Sequence, residues 1–381
     1  MVAIKGRKST NKNPPIFSHE FVIQNHADIV SCVAMVFVVG LMVQVTSPLA
    51  YTFIAVHHNV STALNPGEPS HLPEKYTTGW KDACAVFFYF LITIVMHAVI
   101  QEYIFDKLTK RLHLSKIKLS KFNESSQLVV FYISSAIWGI DIIVRDNLLL
   151  NITSLWDDYP ALLSFSLKLF FIGQFAYWLH CYPELYFQRA KKEEILPRVT
   201  QATVGLIFTL AAYFFNFQQV GVILLVLHYV GDALQHIARI IHFVDRSESA
   251  TSLAFLIANP AFVLVRIVSI GVAALVFLYG LSQTESSLDY ATGNFNIPVI
   301  RYAGLAGITL FQIGLLFRFF KRQVKRTQDL NAPPVGKSKS KQKPKKKEGV
   351  KKSTQSEDDD LPEVDQATNK NLRSRTAGKA K

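Results

Sequence analysis

The stretch LLVLHYVGDALQHIARIIHFVD, residues 224–245, decides the kind of fold that this chain can adopt. Its apolar run is interrupted by His228, Asp232 and His236, each four residues from the next. On an α-helix this spacing turns only about 40° per step, so the three side chains lie on one broad face. A helix that is apolar on its other faces is typical of a membrane span or of a deeply buried core.

Similar apolar runs recur through the chain, which has 381 residues, is 50% hydrophobic and carries a formal charge of +13. Because a membrane span takes about 20 predominantly apolar residues, we predict an all-α, polytopic membrane protein with about eight spans. The predicted spans are 28–48, 83–104, 128–146, 161–182, 200–217, 219–240, 253–281 and 297–318. Only FQQ separates the fifth span from the sixth, which predicts a helical hairpin, and Asn259-Pro260 predicts a bend in the seventh.

The positive charge of the chain is concentrated at its C-terminal end. Residues 321–381 hold 18 Lys and Arg against 8 Asp and Glu, so the basic composition describes a tail more than the body. Apolar periodicity is lost from about residue 331, which predicts a disordered basic tail over 327–381. Such a tail can remain solvated, contact anionic lipid headgroups, or contact phosphates of ribosomal RNA.

The basic residues also predict the orientation of the chain, since Lys and Arg avoid translocated loops. The segment 1–27 holds four basic residues, the loop DKLTKRLHLSKIKLSK holds six, and QRAKKEEILPR holds four. The alternate loops are poor in them, and SQTESSLDYATGNFN has none. We therefore expect both termini in the cytosol.

Three N-x-S/T sequons bear on this topology. Asn59 and Asn151 fall on the predicted lumenal side, whereas Asn123 falls in a basic cytosolic loop. We expect Asn59 to accept a glycan and Asn123 to remain unmodified. Asn151 lies close to the membrane and is a less suitable acceptor.

Ionisable side chains inside predicted spans need a partner or a purpose, because an isolated charge in the bilayer is costly. Near span ends such side chains can reach the headgroups, and we expect this of Glu102, Glu184, Arg239 and Arg301. Further candidates, among them Asp141, His180 and Arg266, lie within spans. The candidates for an intramembrane polar lining are His228, Asp232, His236, Lys168 and His97.

The pair His228 and Asp232 lies well inside the sixth predicted span and admits three interpretations. It can be an interhelical hydrogen-bonding pair, a general base oriented by a carboxylate, or part of a metal site. A metal site needs three or four convergent ligands, and no second cluster of His, Cys or Asp is expected to face this pair. We therefore expect no metal ion and no cofactor.

Five segments together resemble the translocating chain-associated membrane protein family of the endoplasmic reticulum. They are SHEFVIQNHADIVSCVAMVF at 18–37, HAVIQEY at 97–103, SKFNESSQL at 120–128, AYWLHCYPELYFQ at 176–188 and TGNFN at 292–296. The resemblance implies eight spans with both termini in the cytosol. We assign residues 28–117 to the first two spans and the lumenal loop between them, which carries the sequon of Asn59. The resemblance also implies that residues 118–326 form a TLC domain of six spans, the membrane module shared with ceramide synthases.

The resemblance to ceramide synthases bears directly on the polar face of the opening stretch. In ceramide synthases the active region looks like a His-His pair, then a His-Asp pair, then a final aspartate. On this sequence His228 takes the first position of the second pair and Asp232 the final acidic position, whereas Gln201 and Ala202 replace the first pair and Tyr229 replaces an aspartate. Because the histidine pair is missing, we expect no catalytic residues and interpret His228 and Asp232 as a retained polar lining.

The resemblance therefore implies a non-enzymatic accessory in the membrane of the endoplasmic reticulum. Its expected partners are the Sec translocon channel, nascent secretory and membrane protein chains, and membrane lipids, with the ribosome or anionic lipid as partners of the tail. The alternative is a lipid-handling protein or an N-acyltransferase of the ceramide synthase type.

Overall fold

The computed structural model describes residues 15, 18–60, 74–244 and 248–331, the side chains of residues 329–331 excepted. Most of the predicted N-terminal segment before Ser18, and the predicted tail beyond Asn331, lie outside the described residues. Within them the chain forms helices α1 His19–Gly40, α2 Ser47–Ile54, α3 Asp82–Leu112, α4 Lys116–Arg145, α5 Ser154–Asp157, α6 Phe165–Phe187, α7 Lys192–Phe214, α8 Gln218–Val244, α9 Glu248–Gln283 and α10 Pro298–Asn331.

The all-α membrane architecture is confirmed by the length and composition of these helices. In the described part of the chain, seven are long and apolar enough to cross a membrane, namely α1, α3, α4, α7, α8, α9 and α10. The remaining predicted span, 161–182, corresponds to α6, which has 23 residues and buries Lys168, Gln174 and His180. Its polar residues lower the apolar character of α6, although its length matches that of the other helices.

The helix ends differ from the predicted spans because polar turns continue a helix beyond the apolar run. Helix α1 begins at His19, where the hydroxyl of Ser18 accepts a hydrogen bond from the amide of Phe21 at 3.1 Å. Helix α9 runs through Pro260 and contains a π-helical turn at Leu275–Gly280, and α3 contains another at Gln101–Phe105. The unpredicted α2 follows the first span directly.

Helix α8 is the central element of the bundle and packs against both α4 and α9. The approach of α4 is close at Gly139, where a Cβ atom would lie 2.3 Å from Cγ2 of Val226. Three residues join α7 to α8, which agrees with the helical hairpin predicted from the short connection. This packing buries one side of α8 while the face of His228 and Asp232 turns toward α9 and α10.

A small antiparallel sheet joins the first loop to the later helices. Strand β1, Lys75–Tyr76, pairs with β2, Leu163–Ser164, and Tyr76 also forms a bridge with Asn59. Strand β2 leads directly into α6, whose first turn carries Lys168. The loop between α2 and α3 is thereby held next to the start of α6.

Candidate functional site

A buried arginine organises the polar face of the opening stretch. Arg266 on α9 is fully buried, and its Nη2 donates to Oδ1 of Asp232 at 2.7 Å. Its Nη1 contacts Nδ1 of His228 and donates to Oε1 of Gln312 at 3.4 Å. These four residues, from α8, α9 and α10, form what we call the Arg266 cluster.

Donor and acceptor chemistry assigns the protons in this cluster. A guanidinium only donates, so Nδ1 of His228 accepts and its Nε2 carries the hydrogen. That Nε2 lies 2.9 Å from Oδ2 of Asp232, four residues further along α8. Arg266, Asp232 and His228 therefore form a closed triangle of hydrogen bonds that neutralises the buried cation.

The cluster is buried on one side only. The side chain of Arg266 is 0% exposed, whereas those of His228 and Asp232 are 18% and 19% exposed. A carboxylate and an imidazole thus present polar atoms at the edge of an otherwise apolar helix pair. This arrangement can offer hydrogen bonds to a group inside the membrane without exposing a bare positive charge.

Sequence reasoning placed Arg266 among the intramembrane ionisable residues but did not identify it as the partner of Asp232. The spacing of four along α8 shows which side chains share a face, and it says nothing about the neighbouring helix. The chain separates the two residues by 34 positions. The sequence does hold one signal for this pair, which is charge balance. A buried aspartate requires a cation nearby, and Arg266 is a basic residue within a predicted span.

His236 lies one step further along the same face and contacts a different group. Its ring lies 5.9 Å from the ring of Tyr132 on α4. The hydroxyl of Tyr132 accepts a hydrogen bond from Nε2 of Gln201 at 2.7 Å, and Ala202 is buried at 2% exposure. At residues 201 and 202 the chain therefore carries a hydrogen-bonded amide and a buried methyl group.

Lys168 lies in a second cluster, with contacts unlike those expected of an open lining. Its Nζ donates to the carbonyl oxygens of His57 and Thr77 at 2.7 and 2.6 Å, and lies 2.8 Å from Oδ1 of Asp82. The other oxygen of Asp82 accepts from the amide of Gly79 and the hydroxyl of Tyr213, both at 2.8 Å. We call Lys168 and Asp82 the loop clamp, because they tie the first loop to α6 and α7.

The loop residues beside the clamp have shifted pKa values. Burial lowers the pKa of His58, and Lys168 lowers it further, while Asp82 acts in the opposite direction. Burial raises the pKa of Tyr76 to about 12, aided by its hydrogen bond to Glu74. Both residues are therefore uncharged near neutral pH, which suits a loop packed against apolar helices.

His97 lies in a third cluster, between α3 and α6. Its Nε2 lies 3.1 Å from Oε1 of Glu184, and its Nδ1 lies 3.2 Å from Nε2 of His180. The side chain of Glu184 is only 12% exposed. The expectation that Glu184 reaches the headgroups is therefore wrong, because its carboxylate pairs with a histidine of the neighbouring helix.

The five residues expected to form one polar lining are thus distributed over separate contacts. His228 and Asp232 belong to the Arg266 cluster, and His236 packs against Tyr132. Lys168 belongs to the loop clamp, and His97 pairs with His180 and Glu184. The Arg266 cluster combines an imidazole and a carboxylate with partial exposure on α8.

The two candidate glycosylation sites differ in their surroundings. Asn59 is half-buried, and its backbone forms a bridge with Tyr76. Asn151 is exposed, and its side-chain oxygen accepts a hydrogen bond from the hydroxyl of Thr153 at 3.0 Å. Modification of Asn59, and the lesser suitability of Asn151, stay predictions.

Comparison with known proteins assigns the chain to a family. Residues 121–321 match the family model described as the TLC domain. The chain is 42% identical over 316 residues to translocating chain-associated membrane protein 2 of Mus musculus and to that of Homo sapiens, covering 82% of this chain and 84% of each relative. The chain is therefore a multi-pass membrane protein that belongs to the translocating chain-associated membrane protein family and contains a TLC domain.

Proposed function

We propose that this protein is a non-enzymatic accessory of the translocon in the endoplasmic reticulum membrane, with both termini in the cytosol. It contacts the Sec channel and the signal sequences of nascent secretory and membrane proteins, and assists their translocation or insertion. The observation that carries this proposal is 42% identity, over most of both chains, to relatives named for association with translocating chains.

The Arg266 cluster supports a physical mechanism for this role. A marginally apolar signal helix carries polar groups that are poorly accommodated by lipid tails. The partly exposed carboxylate of Asp232 offers acceptor oxygens at the protein surface within the bilayer, His228 holds that carboxylate in place, and Arg266 stays buried behind them. Hydrogen bonds between helices in membranes contribute about 0.6 kcal/mol on average, which matters for weak signals and is negligible for strongly apolar ones.

The proposal is tested by photocrosslinking from a short, ribosome-stalled secretory chain in microsomes that contain this protein. The probe lies in the signal sequence, and a polar replacement of that sequence provides the negative control. We expect a crosslink to this protein that disappears with the polar replacement. A normal yield of crosslinks to the channel without any to this protein would contradict the proposal.

The role of the cluster is tested separately by His228→Gln, which leaves the pairing of Arg266 with Asp232 in place. We expect weakly apolar signal sequences to insert less well with this variant and strongly apolar ones to insert normally. His242→Gln is the matched control, since His242 is exposed near the end of the same helix. Equal insertion of both signal classes would remove His228 from the mechanism.

A second candidate function, lipid handling, is favoured by one surface feature. An open apolar groove of about 430 Å³ is lined by Leu108, Leu112, Phe122, Ile240, Ile241 and Val244. Such a groove suits a lipid acyl chain, and membrane lipids are expected partners of this protein in either function. The N-acyltransferase form of this alternative is opposed by Gln201 and the buried Ala202 at the positions of the histidine pair.

The lipid alternative is distinguished by an acyltransferase assay on the purified protein with a sphingoid base and an acyl-coenzyme A. We expect no product above that of a heat-treated sample. Product formation that is lost with His228→Gln would favour the enzyme instead. The contacts proposed for the tail, with the ribosome or anionic lipid, involve residues outside the described part of the chain.

A further inference from the structure

We propose that His97, His180 and Glu184 form a binding site for a divalent transition metal ion, best suited to Zn²⁺, between α3 and α6. Each residue offers one donor atom, and the three donor atoms lie within 4.8 Å of one another. Two imidazoles and a carboxylate form a ligand set that binds zinc in proteins and leaves a fourth position for water. The inference is independent of the proposed translocation role.

The positions of the ligands follow from the helices that carry them. His180 and Glu184 are four residues apart on α6 and therefore share one face. Helix α3 packs along that face and contributes His97. The two short contacts of His97, 3.1 Å to Glu184 and 3.2 Å to His180, are made by its two different ring nitrogens. Tetrahedral Zn²⁺ with bonds of about 2.0–2.1 Å places its donors about 3.3 Å apart, so binding through one nitrogen of His97 would draw together donor atoms that now lie within 4.8 Å of one another.

A hydrogen bond outside the ligand set prepares His180 as a ligand. Its Nδ1 lies 2.6 Å from the carbonyl oxygen of Tyr177, which only accepts, so Nδ1 carries the hydrogen. The lone pair of Nε2 then points toward His97. Metal-binding histidines are commonly oriented in this way by a carbonyl or carboxylate at the second nitrogen.

The carboxylate of Glu184 has one oxygen left for a ligand. Its Oε1 contacts Nε2 of His97, and it also accepts from the side chain of Gln188 at 2.9 Å. Its Oε2 is buried and has no hydrogen-bond partner among the described residues. A buried carboxylate oxygen without a partner is costly, and coordination of a cation would satisfy it.

An ion at this site would link two helices that are far apart in the chain. His97 lies on α3, whereas His180 and Glu184 lie on α6. Zn²⁺ bound to all three residues would therefore join α3 to α6.

The proposal is tested on the full-length protein in detergent, dialysed against a chelator, then loaded with Zn²⁺ and freed of unbound metal. We expect about one bound Zn²⁺ per chain by elemental analysis. Loading with Co²⁺ instead should produce the visible d–d absorption of a tetrahedral ion. Wild-type protein that retains no metal by either measurement would overturn the proposal.

Variants then locate the ion. Glu184→Gln keeps the shape of the side chain but removes its charge, and His180→Gln removes a buried nitrogen ligand. Each should weaken Zn²⁺ binding by at least about 10-fold, and Zn²⁺ should raise the melting temperature of the wild type but not of these variants. His113→Asn is the matched control, because His113 is exposed and adopts a left-handed conformation that asparagine tolerates.

The outcomes separate a built site from scattered surface binding. Retention of metal by His113→Asn together with loss in Glu184→Gln supports the site. Undiminished binding in both Glu184→Gln and His180→Gln would show adventitious binding and overturn it. Should one of the two variants fail to fold, the other variant and the Co²⁺ spectrum of the wild type still decide the question.

Discussion

The loop clamp and the Arg266 cluster each place a fully buried cation beside an aspartate from another helix. Lys168 and Arg266 are both 0% exposed, and the cation–carboxylate distances are 2.8 and 2.7 Å. Each cation lies in a chain that spans a membrane, where an unpaired charge is costly. By charge and distance alone the two pairs are equivalent.

The two clusters differ in whether their polar atoms can be reached by other molecules. The ammonium of Lys168 has three acceptors, two of them loop carbonyls, and the side chain of Asp82 is 6% exposed. In the Arg266 cluster Asp232 is 19% exposed, and Nε of Arg266 has no hydrogen-bond partner among the described residues. A buried charge therefore marks a structural clamp when its partners are enclosed, and a candidate interaction site when they reach a surface.

The largest expected effect is that of Lys168→Met, which leaves Asp82 buried without its cation. Breaking a buried pair by removing one partner costs about 3–5 kcal/mol. We expect a decrease of that size in the free energy of unfolding, measured by denaturant titration in detergent with tryptophan fluorescence. Addition of Asp82→Asn to the variant should recover part of the loss, and a single variant as stable as the wild type would contradict the clamp.

Arg266→Met should have a smaller effect, although Arg266 is as deeply buried as Lys168. Asp232 keeps the Nε2 hydrogen of His228 at 2.9 Å and remains partly exposed, so its charge is not stranded. We expect a loss of about 1–3 kcal/mol, the cost of an incompletely satisfied buried group. A loss equal to that of Lys168→Met in the same titration would remove the distinction between the two clusters.

Much of the fold could be predicted from the sequence because apolar length is a local property. The runs around α1, α3, α4 and α7 to α10 identify these helices, and the short connection identifies the α7–α8 hairpin. Helix ends were less accurate, since capping by Ser18 and polar turns extend a helix beyond its apolar run. Helix α2 was missed because eight residues carry little periodic signal.

The contacts of the polar residues could not be predicted in the same way. The spacing of His228 and Asp232 placed them on one face, but their partner Arg266 depends on how α8 and α9 pack. Glu184 was assigned to the headgroups from its position near a span end, whereas its contact with His97 depends on the packing of α3 against α6. Local patterns show which groups share a helix face, and tertiary packing decides which groups meet.

The separation between α8 and α9 can be altered without changing any charge. A Cβ at Gly231 would lie 2.6 Å from Cγ2 of Val265 and 3.5 Å from Nη2 of Arg266. Overpacking costs about 1–3 kcal/mol, offset by up to about 1 kcal/mol gained when alanine replaces a helical glycine. We expect Gly231→Ala to lower the free energy of unfolding by about 1 kcal/mol and to weaken insertion of marginal signal sequences.

Gly271→Ala is the matched control for this variant, because it lies on α9 with nothing within 4 Å of the added methyl group. It should be neutral or slightly stabilising. If Gly231→Ala and Gly271→Ala had the same free energy of unfolding and the same insertion efficiency, the close approach of α9 at Gly231 would not be what holds Arg266 beside Asp232.

The smallest expected effect is the contribution of the loop clamp to the pH dependence of stability. Burial lowers the pKa of His58 below the ordinary value of about 6.5, with Lys168, His57 and Lys81 acting in the same direction and Asp82 opposing them. Unfolding restores the ordinary pKa, so the unfolded chain takes up a proton at a higher pH than the folded one. Stability is therefore complete above about pH 6.5 and decreases as the pH falls below it.

His58→Gln removes this titration and leaves the clamp pair unchanged. We expect the melting temperature of the wild type to fall more between about pH 7.5 and pH 5.5 than that of His58→Gln. Arg266→Met should keep the contribution of His58, because Arg266 is not among the charged groups that shift the pKa of His58. Equal pH dependence of His58→Gln and the wild type would show that the loop is not packed closely enough to hold His58 neutral, and the clamp would then be no more enclosed than the Arg266 cluster.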